Sequence, residues 1–544
     1  MRRLLWALPM TALAAWACGD DSSATDAGPD ATSDSPVATD GGTDATGDVA
    51  ADAPPPLNVG DSVLERNHHP NRDGWYVQSA FTSAAISTMA RDSAFDGTIA
   101  GHVYAQVLYV DNVALGTGAT NWVLAATEDN QVTALDATTG VVVWQKTLGP
   151  SAASTGAGCG NVAPLGITGT PVIDASSRTI FLDAVIGTQA NGSGTIKTHE
   201  IHALSLDDGT ERPNFPVDAA TATYQSTPFN PVVENQRSAL AFVNGTAYVA
   251  YGGHAGDCGQ YHGWVLGVPY PAASPVGAFA TSIGQNLRAG GSWAPGGIAS
   301  DGTNVYISTG NTFGASSWVG QEAIFRFQPG PVFSNQTKDY FAPHNWLQLD
   351  NGDTDIGGSG PVLLTAKNAS PANLVVALGK NGFVYLLDQA NLGGIADAGA
   401  GDGVYNAQVA NGEIINVAAW VDTAAGNTWL VAHGYNGASG VGCKKGSGDL
   451  IAMKISGTPP TVSVEWCANS QTQGEPMITT SDANGTDAIV WFVGQHLNGW
   501  DIESGNHVYT GTDTRSGGRR GTTPIAAKGR IYIGADSKVY SFKL

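Results

Sequence analysis

Positive charge is scarce in this chain. Its 544 residues include 25 Lys and Arg against 47 Asp and Glu, which gives a formal charge of −22 at pH 7. A nucleic-acid backbone is repelled by such a protein unless its basic residues are clustered. Beyond the first few residues the adjacent basic pairs are Lys444-Lys445 and Arg519-Arg520 alone, so we expect no nucleic-acid partner.

Cysteine is rare as well, and several catalytic signatures are missing. The five cysteines form neither a CxxC nor a CxxCH motif, which leaves thiolate zinc sites and covalently attached haem without support. The chain also has no GxSxG, Walker, HExxH or dinucleotide-binding fingerprint. Catalysis by a Ser, His and Asp constellation therefore has no sequence support.

The amino terminus has the layout of a secretory signal. Arg2 and Arg3 precede an apolar run from Leu4 to Trp16, which is too short for a membrane span of about 20 residues. The run leads into Ala-Trp-Ala-Cys ending at Cys18, which resembles a bacterial lipobox. We therefore predict a signal peptide over residues 1–17 and lipidation of Cys18. A plain cleaved signal with an incidental cysteine is the alternative.

Residues 18–57 have the composition of a tether. Between Gly19 and Pro56 the chain has nine Asp and no Lys, Arg or aromatic residue, so it cannot bury enough apolar surface to offset its ordering entropy. We predict an extended, self-repelling tether that links the lipid anchor to a folded domain over residues 58–544. The protein is then expected to be exported and anchored to the cell envelope at the outer membrane, facing the periplasm or the surface, with the lipid as its only membrane contact.

A pair of β-rich strands recurs through the predicted domain. In the clearest copy, WVLAATEDNQVTALDATTGVVVW (Trp122 to Trp144), a polar turn separates two apolar runs. The mean spacing of the copies is about 58 residues, longer than the roughly 40–50 residues of a minimal four-stranded blade, which fits long inserted loops. The first strands of the eight copies contain Val123, Ile180, Tyr248, Val305, Val375, Trp429, Val490 and Ile531.

Segments of small residues precede most copies, for example GITGTPVID (Gly166 to Asp174) and GTTPIAAKG (Gly521 to Gly529). The innermost strand of a propeller blade crowds the central channel, where small side chains fit. The sequence thus predicts an all-β, eight-bladed β-propeller. Because the last copy ends at Leu544 without an outer strand, we expect an N-terminal strand around Ser93 to Ile99 to close the ring.

Two resemblances accompany this prediction. The run TEDNQVTALDATTGVVVWQ (Thr127 to Gln145) is similar to the repeat of quinoprotein-type, or PQQ-like, propellers, and such repeats recur from about residue 103 to the end of the chain. Residues 67–394 resemble a group of exported bacterial PQQ-like repeat proteins, in stretches such as GNVAPLGITGTPVID, NQRSALAFVNG and GKNGFVYLLDQANLGG. The resemblance implies a quinoprotein-like propeller.

The resemblance implies two functional branches. Quinoprotein alcohol dehydrogenases hold PQQ on the propeller axis between a Trp floor and a disulfide of adjacent cysteines, with a calcium or lanthanide ion and a catalytic Asp. This sequence has no Cys-Cys pair, and none of its residues is matched to the metal ligands or the base. In the other branch, the lipoprotein subunit of the outer-membrane β-barrel assembly machine is a lipid-anchored eight-bladed propeller that serves as a docking surface.

One face of the predicted propeller gathers the candidate site residues. In each blade, the loop between the second and third strands and the segment that crosses to the next blade emerge on this face. Its polar and aromatic side chains suit a mouth for a sugar, peptide or quinone, and ordinary solvated loop residues are the alternative. The candidates are Glu128, His254, Asp257, Tyr261, His262, Asn311, Lys380, His433, Tyr435, Gln495, His496 and Asp536.

The same face receives the four cysteines that follow Cys18. Cys443 and Cys467 belong to one blade, so we predict a Cys443–Cys467 disulfide and, by elimination, a Cys159–Cys258 disulfide. Both would staple long loops of this face.

Two patterns suggest a metal, and neither is complete. His254 and His262 flank a Gly-rich loop without a third ligand at a recognisable spacing. The run from Asp350 to Asp355 fails the calcium-loop frame because Gly357 falls at the third ligand position counted from Asp353. We therefore predict no metal site and interpret the acidic run as a turn.

Together these features favour a binding or scaffold module over an enzyme. The predicted protein is a cell-envelope lipoprotein with protein or glycan partners and no expected cofactor. The alternative is a dehydrogenase of alcohols or sugars, dependent on PQQ with Ca²⁺ or linked to a dye, with an atypical site. A hydrolase or lyase has only the versatility of the fold behind it.

Overall fold

Eight antiparallel sheets follow one another along the chain and form the blades of a propeller. The computed structural model describes residues 57, 59–113, 121–399, 401–415, 418–435, 442–470, 474–512, 517–519 and 521–544. The predicted signal peptide, Cys18 and the tether up to residue 56 lie outside the described residues. In the part of the chain that is described, no helix has the length and apolar character needed to cross a membrane.

Blades 1 to 4 are built from the first half of the domain, and their strands run from the channel outward. Blade 1 contains Leu108–Val110, Trp122–Ala126, Gln131–Asp136 and Val142–Thr147. Blade 2 contains Val172–Asp174, Thr179–Gly187, Ile196–Ser205 and Val217–Asp218. Blade 3 contains Ala241–Val243, Thr246–Gly253, Trp264–Pro269 and Gly277–Ala280, with Glu234–Asn235 paired to its second strand. Blade 4 contains Ala299–Ser300, Val305–Ser308, Ile324–Phe327, Tyr340–Ala342 and Gly394–Ile395.

The other four blades complete the ring. Blade 5 contains Val362–Thr365, Asn373–Leu378, Phe383–Asp388 and Tyr405–Gln408. Blade 6 contains Ala419–Asp422, Thr428–His433, Leu450–Ser456, Thr461–Ala468 and Lys445–Gly446. Blade 7 contains Trp75–Val77, Met477–Thr480, Ile489–Val493, Leu497–Asp501 and His507–Thr510. Blade 8 contains Ile525–Ala527, Arg530–Ala535, Lys538–Lys543 and, on its outer edge, Ala90–Arg91 and Gly97–Thr98.

The remaining elements are short and lie in the connections. One hairpin pairs Thr223–Tyr224 with Thr227–Pro228, and a second pair joins Arg288–Ala289 to Thr312–Phe313. The described α-helix is Trp346–Asn351. The 3₁₀ turns are Ile86–Thr88, Ala219–Thr221, Thr337–Asp339 and Ile356–Gly358.

The repeat predicted from the sequence is confirmed blade by blade, because each of the eight predicted first strands is the second strand of a blade. The apolar clusters lie between neighbouring blades, such as those between blades 1 and 2 and between blades 5 and 6. Four tryptophans, Trp122, Trp264, Trp429 and Trp491, are fully buried there. Since both faces of these strands pack against a neighbouring blade, the strands read as continuous apolar runs rather than alternating ones.

The small residues of the crossing segments have a steric reason. A Cβ on Gly166 would lie 2.3 Å from the carbonyl oxygen of Glu128, and one on Gly169 would lie 2.2 Å from Oε1 of Gln236. Both contacts are far shorter than carbon and oxygen tolerate, so these segments pack against the loops of adjacent blades at a distance that only glycine allows.

The ring is closed by the amino-terminal part of the domain, as the sequence predicted. Gly97 and Thr98 pair with Val539 and Lys538 in the last strand of the chain. Residues 90–91 pair further along the same strand, so the closing strand is longer than the predicted segment and is interrupted. The last strand therefore has no open edge over these residues.

The segment that precedes the closing strand fills the central channel. We call residues 59–78 the axial segment. It reaches all eight blades, and in most cases an inner-strand amide donates to one of its carbonyl groups. The donor and acceptor pairs are Tyr109 N to Val63 O, Ile173 N to Leu64 O, Ser300 N to Pro70 O, Leu363 N to Asn71 O, Trp420 N to Asp73 O and Ile478 N to Gly74 O, together with Arg72 Nη2 to Leu240 O in blade 3 and Gly529 N to Gln78 Oε1 in blade 8.

Two buried arginines fix the axial segment. Arg72 is fully buried; it pairs with Glu65 at 2.7 Å and donates to the carbonyl oxygens of Leu240 and Ile298 at 2.8 and 2.5 Å. Arg66 pairs with Glu475 at 2.5 Å and donates to the carbonyl oxygen of Gly521 at 2.9 Å. A guanidinium buried this deeply is tolerated only when carboxylates and carbonyl groups surround it, so both side chains specify where the segment lies.

Removal of residues 1–100 is expected to cause aggregation or a large loss of stability, because it deletes the closing strand and the axial segment together. Removal of residues 1–56 is the control and should leave the thermal unfolding midpoint unchanged. Size-exclusion chromatography and thermal unfolding measure both. A soluble, equally stable form without residues 1–100 would contradict the role of the closing strand.

Replacement of Arg72 by Leu is expected to lower the free energy of unfolding by about 3–5 kcal/mol, because it leaves the Glu65 carboxylate buried and unpaired. Lys444→Ala is the control, since Lys444 is 62% exposed in its pair with Glu465, and such surface pairs contribute about 1 kcal/mol or less. Chemical denaturation of both variants measures the effect. Equal losses in the two would argue against the anchoring role of Arg72.

Candidate functional site

The segments that cross between blades enclose a cavity of about 470 Å³ on the predicted face. Each of these segments leads into an inner strand, so they converge around the propeller axis. Tyr104, Asn161, Arg237, Trp293 and Arg519 come from five different crossings and line this cavity together with Arg66 of the axial segment. We call this space the axial cavity.

The wall of the axial cavity is cationic. Arg66, Arg237 and Arg519 line it, and its described lining residues include no Asp or Glu. The carboxylates that pair with two of these arginines lie outside the wall: Glu475 holds Arg66 at 2.5 Å and Asp536 holds Arg519 at 2.5 Å. The guanidinium groups are therefore positioned by acids that do not themselves line the cavity.

Trp293 gives the axial cavity an aromatic surface. The guanidinium carbon of Arg237 lies 5.3 Å from the ring centroid of Trp293, and Nζ of Lys380 lies 5.4 Å from it. Both distances are within the range of cation–π attraction. A similar contact joins Arg519 to the Tyr104 ring at 5.3 Å, so cations and aromatic rings alternate around the cavity.

A second cavity of about 270 Å³ adjoins the first and shares Asn161, Arg237, Trp293 and Ile415 with it. It extends over the loops between the second and third strands of blades 3, 4 and 5. Five of the residues predicted from the sequence line it, namely His254, Asp257, Tyr261, Asn311 and Lys380.

The charges of the second cavity are mixed. Although burial opposes protonation, Asp355 and Asp353 raise the pKa of Lys380, whose Nζ lies 2.7 and 2.8 Å from their carboxylates. Burial lowers the pKa of His254 to about 4, so this ring is neutral at physiological pH. Tyr261 donates to Oδ1 of Asp257 at 2.6 Å, and burial raises the pKa of the phenol.

The other predicted residues do not line either cavity. Glu128 is buried and accepts the Gly166 amide at 2.7 Å, and His262 is buried with Nδ1 3.2 Å from the carbonyl oxygen of Thr281. His433 is buried beside Asp449 and Tyr435. Asp536 acts through Arg519. These groups, with Tyr435, Gln495 and His496, remain outside the lining of the mouth.

The acidic run from Asp350 to Asp355 is engaged within the protein. Asp350 is buried and accepts the backbone amide and the hydroxyl of Thr312 at 2.6 and 2.9 Å. Asp355 accepts the Asn311 amide at 2.7 Å and pairs with Lys380. Its carboxylates hold loops and a lysine, in keeping with the predicted turn.

Both predicted disulfides are present. Cys159–Cys258 joins the crossing between blades 1 and 2 to a loop of blade 3, with the Cα atoms 6.0 Å apart. Beside it, the Gly160 amide donates to Ala255 O at 2.9 Å. Cys443–Cys467 lies within blade 6. The first disulfide fixes the loop that carries His254 and Asp257, so it supports one wall of the second cavity.

No protein-family model matches the chain, and no curated protein sequence matches it. Solved structures do match. The quinohemoprotein alcohol dehydrogenase ADHIIG from Pseudomonas putida HK5 is 12% identical, with a TM-score of 0.58 over 89% of this chain and 80% of that one. The fold is that of the quinoprotein dehydrogenase propellers.

Two further structures agree with this assignment. The quinohemoprotein alcohol dehydrogenase from Comamonas testosteroni is 13% identical, with a TM-score of 0.57 over 89% of this chain and 80% of that one. A europium-containing methanol dehydrogenase is 14% identical, with a TM-score of 0.54 over 87% and 89% of the two chains. At this level of identity the likeness establishes the fold and leaves the chemistry to the site.

The axial cavity fits part of a quinone cofactor. Three guanidinium groups and the Trp293 ring suit a planar molecule that carries carboxylates. The metal half does not fit, because in the described part of the mouth no three His, Cys, Asp or Glu side chains converge on one point. The adjacent cysteine pair of the dehydrogenases is also missing from the sequence. We therefore derive no redox step through this cofactor.

Sequence reasoning missed the residues that define the axial cavity, namely Arg66, Arg237, Trp293 and Arg519. It concentrated on loops between second and third strands, whereas these four lie in the axial segment and in crossing segments. One signal was available: a bulky side chain interrupts a run of small residues, as Trp293 does in GGSWAPGG.

The buried carboxyl group of Glu128 makes stability depend on pH. Burial raises its pKa from 4.5 to about 7, so the folded protein keeps a proton that the unfolded chain has already lost. Its contribution to stability therefore falls as the pH rises from about 4.5 to 7, by up to about 1.4 kcal/mol per pH unit. Glu128→Gln remains neutral and should gain stability relative to the native protein over this interval.

The measurement is the thermal unfolding midpoint of the native protein and of Glu128→Gln between pH 4.5 and 8. Glu413→Gln is the control, because Glu413 is partly exposed. A difference between Glu128→Gln and the native protein that does not change with pH would show that Glu128 ionises freely in the fold.

Proposed function

We propose that this protein is an exported lipoprotein of the cell envelope whose propeller is a binding module, and that its axial cavity receives a carboxylate-bearing group of a protein or glycan partner. The observation that carries the proposal is the cationic, aromatic wall of the axial cavity in a chain of formal charge −22. Acids repel an anion over most of such a protein, so a site that attracts one requires basic residues to be gathered locally.

The geometry of the wall supports recognition of carboxylate. Guanidinium groups present N–H donors in a planar fork that matches a carboxylate. Trp293 offers a flat apolar face on which a sugar ring or a planar side chain can pack. The first disulfide and the buried pairs of Arg66 and Arg519 hold these groups in place before a ligand arrives, which lowers the ordering cost of binding.

The envelope location is supported by the sequence. Arg2-Arg3, the apolar run and Cys18 suit export and lipidation, and the acidic tether over residues 18–57 would hold the propeller away from the membrane surface. Two disulfides agree with an oxidising compartment.

The alternative function is a quinone-dependent dehydrogenase. It is favoured by the fold shared with quinohemoprotein alcohol dehydrogenases and by the match between the axial cavity and a planar, carboxylate-bearing quinone. The mouth contains no convergent metal-ligand set among its described residues, and this favours the binding module.

Titration calorimetry of the full chain tests the proposal, with oligogalacturonate and a Glu-rich peptide as the anionic probes and neutral analogues beside them. We expect saturable binding of at least one anionic probe that weakens as salt is added. Arg237→Gln should weaken binding at least tenfold. Arg91→Gln is the matched control, because Arg91 also lies over an aromatic ring, Tyr540, at 4.8 Å, but outside the mouth.

Three outcomes decide between the functions. Binding lost in Arg237→Gln and kept in Arg91→Gln supports the module, and the probe that binds identifies a glycan or a protein partner. Saturable binding of PQQ accompanied by dye reduction with an alcohol or a sugar would establish the dehydrogenase instead. Failure of every anionic probe at millimolar concentration would overturn both uses of the axial cavity.

A further inference from the structure

A turn of the axial segment places two imidazoles and a carboxylate together. One ring nitrogen of His68, one of His69 and a carboxylate oxygen of Asp73 all lie within 4.8 Å of one another. In the described residues this is the one group of three His, Cys, Asp or Glu side chains with that arrangement. None of the three was singled out from the sequence, and none lines the axial cavity.

The contacts within the turn suit metal coordination. Nδ1 of His69 lies 2.8 and 3.0 Å from the two carboxylate oxygens of Asp73. Ligand atoms around a tetrahedral Zn²⁺ with bonds of about 2.0–2.1 Å lie about 3.3 Å apart. A metal ion can therefore replace the shared proton with a small adjustment of the ring. The ion also has access to the site, because the His69 side chain is 49% exposed.

The other ligands are oriented by neighbouring groups. Nδ1 of His68 lies 2.6 Å from the carbonyl oxygen of Trp75 and donates to it, which leaves Nε2 with the lone pair that a metal needs. The His68 ring stacks on Tyr76 with centroids 4.6 Å apart. Oδ1 of Asp73 accepts the Trp75 amide at 3.1 Å. Hydrogen bonds of this kind fix the tautomer and direction of metal ligands in proteins.

The turn itself is held by the propeller. His68 has a positive φ of 74°, and so does Arg72, at 63°. The carbonyl groups of Pro70, Asn71 and Asp73 accept amides from blades 4, 5 and 6. A backbone fixed from three sides keeps the ligands together without a metal, so little ordering cost accompanies binding.

We propose that His68, His69 and Asp73 bind one divalent transition-metal ion, Zn²⁺ in the first instance, with solvent in the remaining coordination position. Two imidazoles and one carboxylate are ligands that Zn²⁺ and its first-row neighbours accept. The site is separate from the axial cavity, so it stands whether or not that cavity binds an anion.

The protein contains a natural comparison for this site. His344 and Asp402 form the same kind of pair, with Nδ1 3.0 Å from the carboxylate and the histidine side chain 42% exposed. A second imidazole is not part of any such cluster there among the described residues. The pair therefore tests whether one histidine beside an aspartate is enough to bind the metal.

The experiment titrates the untagged, metal-stripped full chain with Zn²⁺ by calorimetry and with Co²⁺ by visible absorption. We expect one ion per chain, Co²⁺ bands of a low-symmetry site with nitrogen and oxygen ligands, and a thermal midpoint that rises with free Zn²⁺. His69→Ala should weaken binding at least tenfold, while His344→Ala leaves it unchanged. His69 is half exposed, so its removal should not prevent folding; circular dichroism without metal verifies this.

Asp73→Asn is the second variant, because an asparagine keeps the hydrogen bond from the Trp75 amide and loses the charge. It should weaken Zn²⁺ binding and abolish the metal-dependent rise of the thermal midpoint. The proposal is overturned if the native chain shows no saturable Zn²⁺ binding at high micromolar concentration, or if the His69 variant binds as tightly as the native chain. Loss of binding in His344→Ala alone would overturn it too, by moving the site to blade 4.

Discussion

The structure depends on the burial of two guanidinium groups in the channel of the propeller. Arg66 and Arg72 are 2% and 0% exposed, and each is paired with a carboxylate and with carbonyl groups of the surrounding chain. A charge at that depth is acceptable only when all of its surroundings are in place. The axial segment, the inner strands and the two glutamates therefore have to assemble as one arrangement, and any other path of the segment would leave a charge unpaired.

The mouth of the propeller follows from this arrangement. Arg66 belongs both to the axial segment and to the wall of the axial cavity, so the group that anchors the channel also presents donors at its opening. Glu475 and Asp536 compensate the charge of Arg66 and Arg519 from outside the wall. Charge separated in this way lets a strongly acidic protein keep a cationic pocket, with aromatic rings beneath the cations.

The same segment continues into the closing strand and contains the turn of His68, His69 and Asp73. Filling of the channel, closure of the ring and the proposed metal site thus belong to one stretch of about 40 residues, residues 59–98. A quinoprotein fold with this segment in its channel combines a fixed floor and an open mouth. This suits recognition of a ligand on one face, and the disulfide between residues 159 and 258 adds rigidity to that face.

The sequence by itself determined the eight blades, the strand pairs, the ring closure by an N-terminal strand and both disulfides. These features are periodic or local: apolar runs of the right length, turns between them and small residues before them are visible without a structure. It also brought five of its twelve mouth candidates to one cavity, because loop position within a blade decides the face. The tertiary structure decided the rest. Trp293 and Arg237, or His68 and Asp73, come together through contacts between blades and the axial segment, and such contacts join residues whose spacing in the chain follows no period.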